Sequence, residues 1–161
     1  MPRKKPADPT LQLDNQICFA LYSATNAFNR VYKPLLASLG LTYPQYLVMM
    51  VLWEQDHITV SRIGERLFLD SGTLTPLLKR LESAGLVRRV RDAQDERRVM
   101  IELTSAGANL RDKAKKVPEG ILQAAACSVD DLISLKEAVV ALRDRLRDAA
   151  KEGDGDKQRK S

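Results

Sequence analysis

The sequence predicts a mainly helical fold that contains one small β-hairpin. Along most of the chain, apolar residues recur at steps of three, four and seven, which is the period of an amphipathic helix. Between about residues 86 and 103 the period changes to two, which is typical of strands. The chain has 161 residues, so it has room for one domain with a single core.

The first helix is predicted at about residues 14–38, and Gly40 marks the turn that follows it. Its apolar residues share one face and are Ile17, Ala20, Leu21, Ala24, Phe28, Val31 and Leu35. Before this helix, residues 1–10 combine prolines with three cations. That composition is typical of a disordered tail.

A second helix is predicted after Thr42, a plausible N-cap, with Pro44 in its first turn. It ends near Trp53, which is interpreted as a packing residue at the helix end. A short extended segment and a short helix through Leu67 follow. These signals are local, and together they indicate two helices joined by a tight connection.

The position of the next helix depends on a proline. Proline lacks the backbone N–H and its ring clashes with the carbonyl group four residues back, so it is tolerated only in the first turn. The helix that contains Pro76 is therefore predicted to begin at about Thr73. Gly85 is predicted to close it, because glycine is the usual residue after a helix C-terminus.

Two alternating segments, LVRRV and RVMIEL, are predicted as strands of a hairpin with RDAQDER at its tip. Helical spacing then resumes, and Pro118 is predicted to bend or interrupt that helix. A last helix is predicted after the N-cap Ser128, and its apolar stripe suits either a core or a seam with another helix. Residues 151–161 lack an apolar anchor and are predicted as a tail, so residues 11–150 form the folded domain.

A helix, a turn, a second helix and a hairpin in this order are typical of the winged helix-turn-helix. The second helix of that arrangement enters the major groove of DNA, and the hairpin reaches the minor groove. Seven cations and four carboxylates lie between Lys79 and Arg98, and the whole chain has a formal net charge of +5. A solvated charged face is the alternative for the hairpin alone. The ordered combination favours DNA binding.

The stretch LVRRVRDAQDERRVMIELTSAG resembles the wing of the MarR family, whose mark is an Asp-x-Arg tip followed by Leu-Thr. This chain has at those places Asp95, Arg97, Leu103 and Thr104. The resemblance covers roughly residues 14–148 and implies a homodimer on a pseudo-palindromic operator in double-stranded DNA. It implies a DNA-binding part at about 42–104 and dimerisation helices at about 14–38 and 104–148.

The resemblance also implies which side chains contact DNA. They are Ser71, Thr73, Lys79, Arg80, Asp95 and Arg97. Arg97 would enter the minor groove, held by Asp95, and would read its width and negative potential. Lys79 and Arg80 would mostly neutralise phosphates, whereas Thr73 is the better candidate for a base edge.

An early cysteine narrows the resemblance to the organic hydroperoxide sensors of the family, the OhrR type. That subgroup pairs one reactive cysteine with two downstream tyrosines, which here are Cys18, Tyr32 and Tyr43. Fourteen residues of helix span roughly 21 Å, so contact between Cys18 and these phenols requires the first helix of a second subunit. Cys127 resembles the resolving cysteine of the two-cysteine members, which bonds Cys18 of the partner subunit.

Other functions remain open from the residues alone. They are a MarR-type repressor released by a phenolic ligand, a thiol peroxidase, and a winged helix that contacts only proteins; Cys18 could also pack as a small hydrophobe. The sequence contains no Ser/His/Asp set, Cys-x-x-Cys pair, phosphate loop or zinc-ligand set. Neither an enzyme, a cofactor nor a metal is therefore predicted. Without an export signal or a membrane-spanning run, the expected location is the cytoplasm.

Overall fold

A computed structural model describes residues 8–95 and 97–158, with side chains through residue 152. The helices in chain order are α1 (Ile17–Ala37), α2 (Tyr43–Glu54), α3 (Val60–Leu67), α4 (Ser71–Ser83), α5 (Ser105–Ala114), α6 (Lys116–Ala125) and α7 (Val129–Gln158). The strands are β1 (Ile58–Thr59), β2 (Val87–Arg91) and β3 (Val99–Leu103). The predicted fold class is confirmed. Within the described ranges, no helix has the length and hydropathy needed to span a bilayer.

The hairpin is part of a three-stranded antiparallel sheet with the order β1-β3-β2. Val87 pairs with Leu103 at its base and Arg91 pairs with Val99 near its tip. The short extended segment after α2 becomes β1, and its Ile58 pairs with Ile101. The predicted hairpin is thus confirmed, and β1 fixes its inner strand to the helical part.

Two compact units make up the chain, the first ending at Ile121 and the second beginning at Leu122. The first unit has a core built from the end of α1, from α2, α3 and α4, and from the sheet. Its fully buried large side chains are Leu36, Met49, Leu52, Ile63, Leu74, Leu78, Leu81 and Ile101. Burial of each such side chain contributes about 1.5–3 kcal/mol, so this core holds the helix-turn-helix and the hairpin together.

Helix α4 begins at Ser71, two residues before the predicted start. Asp70 caps it, because its carboxylate accepts a 2.8 Å hydrogen bond from the Thr73 amide. Pro76 therefore lies in the second turn, where its missing N–H leaves only the carbonyl group of Gly72 without its helical donor. Gly72 is exposed, so water can hydrate that carbonyl. The prediction from the proline was wrong by two residues, because the Asp70 cap sets the helix start at Ser71 and Pro76 is accommodated one turn later.

The helical segment after the hairpin is interrupted as predicted. Helix α5 ends at Ala114 and α6 begins at Lys116, so Pro118 falls in the first turn of α6, where proline is tolerated. The last helix also begins where predicted, and the Asp131 amide donates a 3.1 Å hydrogen bond to Ser128 Oγ. Both signals are local, which explains their success.

Helical backbone occurs within part of each predicted tail. A turn of 3-10 helix at Pro9–Leu11 occupies the end of the first, capped by the Asp8 carboxylate, which accepts a 2.9 Å hydrogen bond from the Thr10 amide. Helix α7 continues to Gln158, past the predicted limit at 150. An existing helix can continue through residues that have no apolar side chains, because adding a residue to a helix is easier than forming its first turn. Residues 1–7 and 159–161 of these predicted tails lie outside the described residues.

Candidate functional site

The predicted contact residues of α4 lie on its exposed surface. The side chains of Ser71, Thr73, Lys79 and Arg80 are all exposed. Neither Lys79 nor Arg80 forms an ion pair with any residue that the structure describes. Both cations are therefore available to neutralise an external anion.

The hydroxyl group of Thr73 is already used within the N-terminal cap. It donates to Asp70 Oδ2 at 3.1 Å. Hydrogen bonds from Thr73 lower the pKa of the Asp70 carboxyl, and the bond from the amide has a larger effect than the bond from the hydroxyl. An ionised carboxylate can only accept, so the single proton of the hydroxyl is committed to Asp70. Towards a base edge, Thr73 offers only acceptor lone pairs, which suit the amino group of adenine or cytosine.

At the hairpin tip, Asp95 holds the backbone of Arg97 rather than its guanidinium group. Asp95 Oδ1 accepts a 3.1 Å hydrogen bond from the Arg97 amide, while its other oxygen lies 3.6 Å from Nε of Arg98. The Arg98 amide also donates to the Asp95 carbonyl at 2.8 Å. Among the described residues, which exclude Glu96, the exposed Arg97 side chain has no ion-pair partner.

An open cavity of about 590 Å³ lies between α3, α4 and the hairpin. Its cationic lining residues are Arg62, Arg89, Arg97 and Arg98. Arg62 pairs with Glu65 at 2.9 Å and Arg89 pairs with Glu82 at 2.8 Å. Thr75 of α4 lines the same cavity, so the structure places the helix and the hairpin tip on one basic surface.

The base of the hairpin contains a charged cluster that the sequence analysis missed. Glu102 accepts from Arg88 Nε at 2.7 Å and pairs with His57 Nδ1 at 2.6 Å. Both bonds lower the pKa of the Glu102 carboxyl, and the bond from Arg88 has the larger effect. Nearby, the Leu103 amide donates to Asp56 at 2.8 Å. The cluster fixes the α2–β1 turn to β3 and neutralises Arg88.

The two predicted sensor tyrosines are brought together. Tyr32 of α1 and Tyr43, the first residue of α2, have ring centroids 4.5 Å apart. Burial, reinforced by the neighbouring Tyr43, raises the pKa of Tyr32 from 10.0 to about 12. Tyr32 is therefore a neutral phenol at physiological pH and can donate a hydrogen bond.

The two cysteines are both free and exposed. Cys18 lies in the first turn of α1, and at about 1.5 Å per residue it is roughly 21 Å along the helix from Tyr32. One chain therefore does not bring its Cys18 to its own phenols. Cys127 lies in the turn between α6 and α7, where its thiol donates to the Ala125 carbonyl at 3.1 Å.

The raised pKa of Tyr32 predicts how stability depends on alkaline pH. Between pH 10.0 and about 12 the unfolded chain loses this proton while the folded chain retains it. The unfolded state then binds fewer protons, so the free energy of unfolding falls as the pH rises through this window. Tyrosinate absorbance should show a phenol titrating near pH 12. Tyr32→Phe should remove that step, and persistence of the step in this variant would contradict the assignment.

Comparison with known proteins places these features in a family. The family model described as transcriptional regulator SarA/Rot matches residues 30–114. The organic hydroperoxide resistance transcriptional regulator of Bacillus subtilis is 48% identical over 136 residues, which are 84% of this chain and 92% of that protein. The regulator TtmR of Methylorubrum extorquens is 50% identical over 139 residues, which are 86% of this chain and 71% of that protein.

The solved structure of reduced AbfR bound to DNA has the same fold, with a TM-score of 0.72 and 36% identity over 86% of this chain and 94% of that one. AbfR is from Staphylococcus epidermidis. Its disulfide form has a TM-score of 0.59 and 38% identity, over 83% of this chain and 93% of that one. These relatives are regulators rather than enzymes, which removes the thiol peroxidase alternative. The fold, the wing motif and this similarity together show that the chain belongs to the MarR family of winged helix-turn-helix transcriptional regulators.

Proposed function

We propose that this protein is a homodimeric cytoplasmic repressor that binds operator DNA and releases it when an organic hydroperoxide oxidises Cys18. The observation that carries the proposal is the Tyr32–Tyr43 pair, two phenols with centroids 4.5 Å apart at the junction of α1 and α2. The similarity to a Bacillus subtilis regulator named for organic hydroperoxide resistance supports the same signal.

The DNA contacts would come from α4 and the hairpin. Lys79 and Arg80 would neutralise phosphates, while Ser71 and Thr73 at the start of α4 would face the major groove. Arg97 would enter the minor groove, with its backbone held by Asp95. The unpaired cations on this surface support the assignment, as does the likeness to reduced AbfR, which was solved bound to DNA.

Dimerisation is supported by apolar side chains that a single chain leaves in water. On α1, only Leu36 is buried, whereas Ile17, Tyr22 and Phe28 are exposed. In the second unit, α7 exposes Val129, Ile133, Leu135, Val139 and Leu146. Large exposed apolar faces are typical of interfaces. A second copy that crosses α1 in the opposite sense would cover its face and bring Cys18 to the phenols of the partner subunit.

The oxidation would proceed in two steps. The Cys18 thiolate attacks one peroxide oxygen, the O–O bond breaks, and the other oxygen leaves as the alcohol after protonation, so sulfur becomes a sulfenic acid. Cys127 of the partner subunit then attacks that sulfur, a disulfide forms and water leaves. Phenols that donate to the sulfur would favour the thiolate. The apolar side chains of Phe19 and Phe28 would suit an organic substituent on the peroxide.

Release would follow because the phenols connect the dimerisation helix to the DNA-binding part. Tyr43 is the first residue of α2, so displacement of the Tyr32–Tyr43 pair would move α2 and the helices packed on it. The similarity to AbfR supports redox control in this fold, because AbfR was solved both as a reduced protein bound to DNA and in a disulfide form.

An operator gel shift with and without one equivalent of cumene hydroperoxide tests the proposal. We expect oxidation to weaken wild-type binding by about 100-fold, the upper range of allosteric coupling. Cys18→Ser should bind the operator and ignore the hydroperoxide. Cys127→Ser should still react but form no disulfide-linked dimer on a non-reducing gel.

The same experiment separates the alternatives. Release of Cys18→Ser by hydroperoxide would exclude Cys18 as the sensor. Release of both proteins by a phenolic ligand, without oxidation, would favour a ligand-controlled repressor. Binding that does not weaken with salt would contradict phosphate contacts and would favour a winged helix that contacts proteins.

A further inference from the structure

We infer that Trp53 is a positioning residue that transmits the state of the Tyr32–Tyr43 pair to α4 and the hairpin. The inference rests on the proposed function, because it concerns how oxidation alters DNA binding. Two observations support it. A continuous series of ring contacts connects Trp53 to the Tyr32–Tyr43 pair, and a hydrogen bond from its indole connects Trp53 to a segment that is distant in the sequence.

The ring contacts run from the sensor phenols into α2. The Tyr46 ring lies 6.2 Å from the Tyr32 ring, and the Trp53 ring lies 6.3 Å from the Tyr46 ring in an edge-to-face arrangement. Tyr46 is buried, with 4% of its surface exposed. Because protein interiors are close-packed, displacement of the Tyr32 ring would disturb the buried Tyr46 ring and, through it, the Trp53 ring.

At its other end, Trp53 is bonded to α5. Its indole N–H donates a 2.9 Å hydrogen bond to the carbonyl oxygen of Gly107. This bond joins residues 54 positions apart in the chain. It fixes the end of α2 to the first turn of the helix that follows the hairpin.

The first turn of α5 is itself fixed to the junction between α4 and the hairpin. Thr104 Oγ1 donates to the Gly85 carbonyl at 2.6 Å, and the Thr104 amide donates to the Leu86 carbonyl at 3.0 Å. Gly85 follows α4 and Leu86 precedes β2. A Cβ atom on Gly107 would lie only 2.0 Å from the Leu86 oxygen. Motion of Trp53 would therefore reach both DNA-binding elements through backbone contacts.

A transmitting role and a packing role make different predictions. Loss of a packing residue lowers stability and acts on both redox states alike. Loss of a transmitting residue reduces the ratio of operator affinities between the reduced and oxidised protein, because that ratio measures coupling. Trp53→Phe keeps an aromatic ring and removes the indole N–H. Val51→Ala truncates a buried side chain of the same helix that lies outside the series and is the matched control.

The test measures operator affinity for both redox states of wild type, Trp53→Phe and Val51→Ala, together with the oxidation rate of Cys18. For Trp53→Phe we expect an unchanged oxidation rate and a ratio of affinities roughly tenfold smaller than in wild type. Val51→Ala should be less stable and keep the wild-type ratio. A wild-type ratio in Trp53→Phe, or an equal reduction in Val51→Ala, would overturn the inference.

Wild-type protein gives a second measurement that requires no variant at this position. Trp53 is the only tryptophan of the chain, so tryptophan emission reports its surroundings directly. The emission should change when Cys18 is oxidised, and it should not change in hydroperoxide-treated Cys18→Ser. Emission that is unaffected by oxidation would also overturn the inference. If wild-type protein keeps its operator after complete oxidation, the proposed function itself fails, which is a separate outcome.

Discussion

Gly107→Ala is expected to destabilise the native state by about 3 kcal/mol or more, as overpacking against backbone does. The added Cβ would lie 2.0 Å from the Leu86 oxygen and 3.0 Å from its carbonyl carbon. Neither atom can rotate away, because the Leu86 oxygen also accepts the Thr104 amide. The main chains of α5 and the hairpin base would have to separate. Chemical denaturation should show the loss as a lower midpoint of unfolding.

Gly85→Ala is the matched control for this substitution. Gly85 has a φ of +72°, and a Cβ atom there would meet nothing within 4 Å. Its replacement should cost about 1 kcal/mol, the strain of a left-handed alanine. If the two variants were equally stable, the close approach of Gly107 to Leu86 would be contradicted.

Local signals in the sequence predicted most elements of this fold. The hairpin follows from an alternation of apolar and polar residues, and the start of α7 follows from a serine cap. The start of α4 was misplaced because two local signals compete there. Asp70 caps the helix at Ser71, and Pro76 is accommodated in the second turn, where Gly72, the residue four positions back, is exposed.

Contacts between distant segments were not predictable. His57 meets Glu102 only because β1 pairs with β3, and the two residues are 45 positions apart. Trp53 was interpreted as a packing residue, and no local pattern indicates that its indole reaches Gly107. The MarR resemblance named Tyr32 and Tyr43, but their juxtaposition depends on the packing of α1 against α2.

The wing motif identified the interacting residues correctly but did not specify which atoms of Arg97 contact Asp95. The sequence indicated that Asp95 holds Arg97, and the structure shows that the contact is with the Arg97 amide. A short aspartate side chain two residues before an amide closes a turn of this kind readily. The guanidinium group of Arg97 is left without a described ion-pair partner, as a minor-groove contact requires.

Mixed dimers should show that each reactive site is shared between two subunits. Homodimers of Cys18→Ser lack the reactive thiol and should show no rapid oxidation. Homodimers of Tyr32→Phe should oxidise Cys18 about 100-fold more slowly than wild type, because a hydrogen-bond donor to the sulfur is lost. When equal amounts are exchanged, about half of the dimers are mixed and each contains one intact site. The rapid phase of thiol loss should then return with about a quarter of the wild-type amplitude, by the same statistics.

The reciprocal mixture distinguishes this arrangement from a site within one chain. It combines wild-type protein with a chain carrying both Cys18→Ser and Tyr32→Phe, so a mixed dimer contains no intact shared site. If sites are shared, both mixtures give about a quarter of the wild-type amplitude; if each site lies within one chain, the first gives none and the second about half. The helix geometry favours sharing, because roughly 21 Å of α1 separates Cys18 from Tyr32 of the same chain. An amplitude of zero in the first mixture would therefore reject the antiparallel pairing of the first helices.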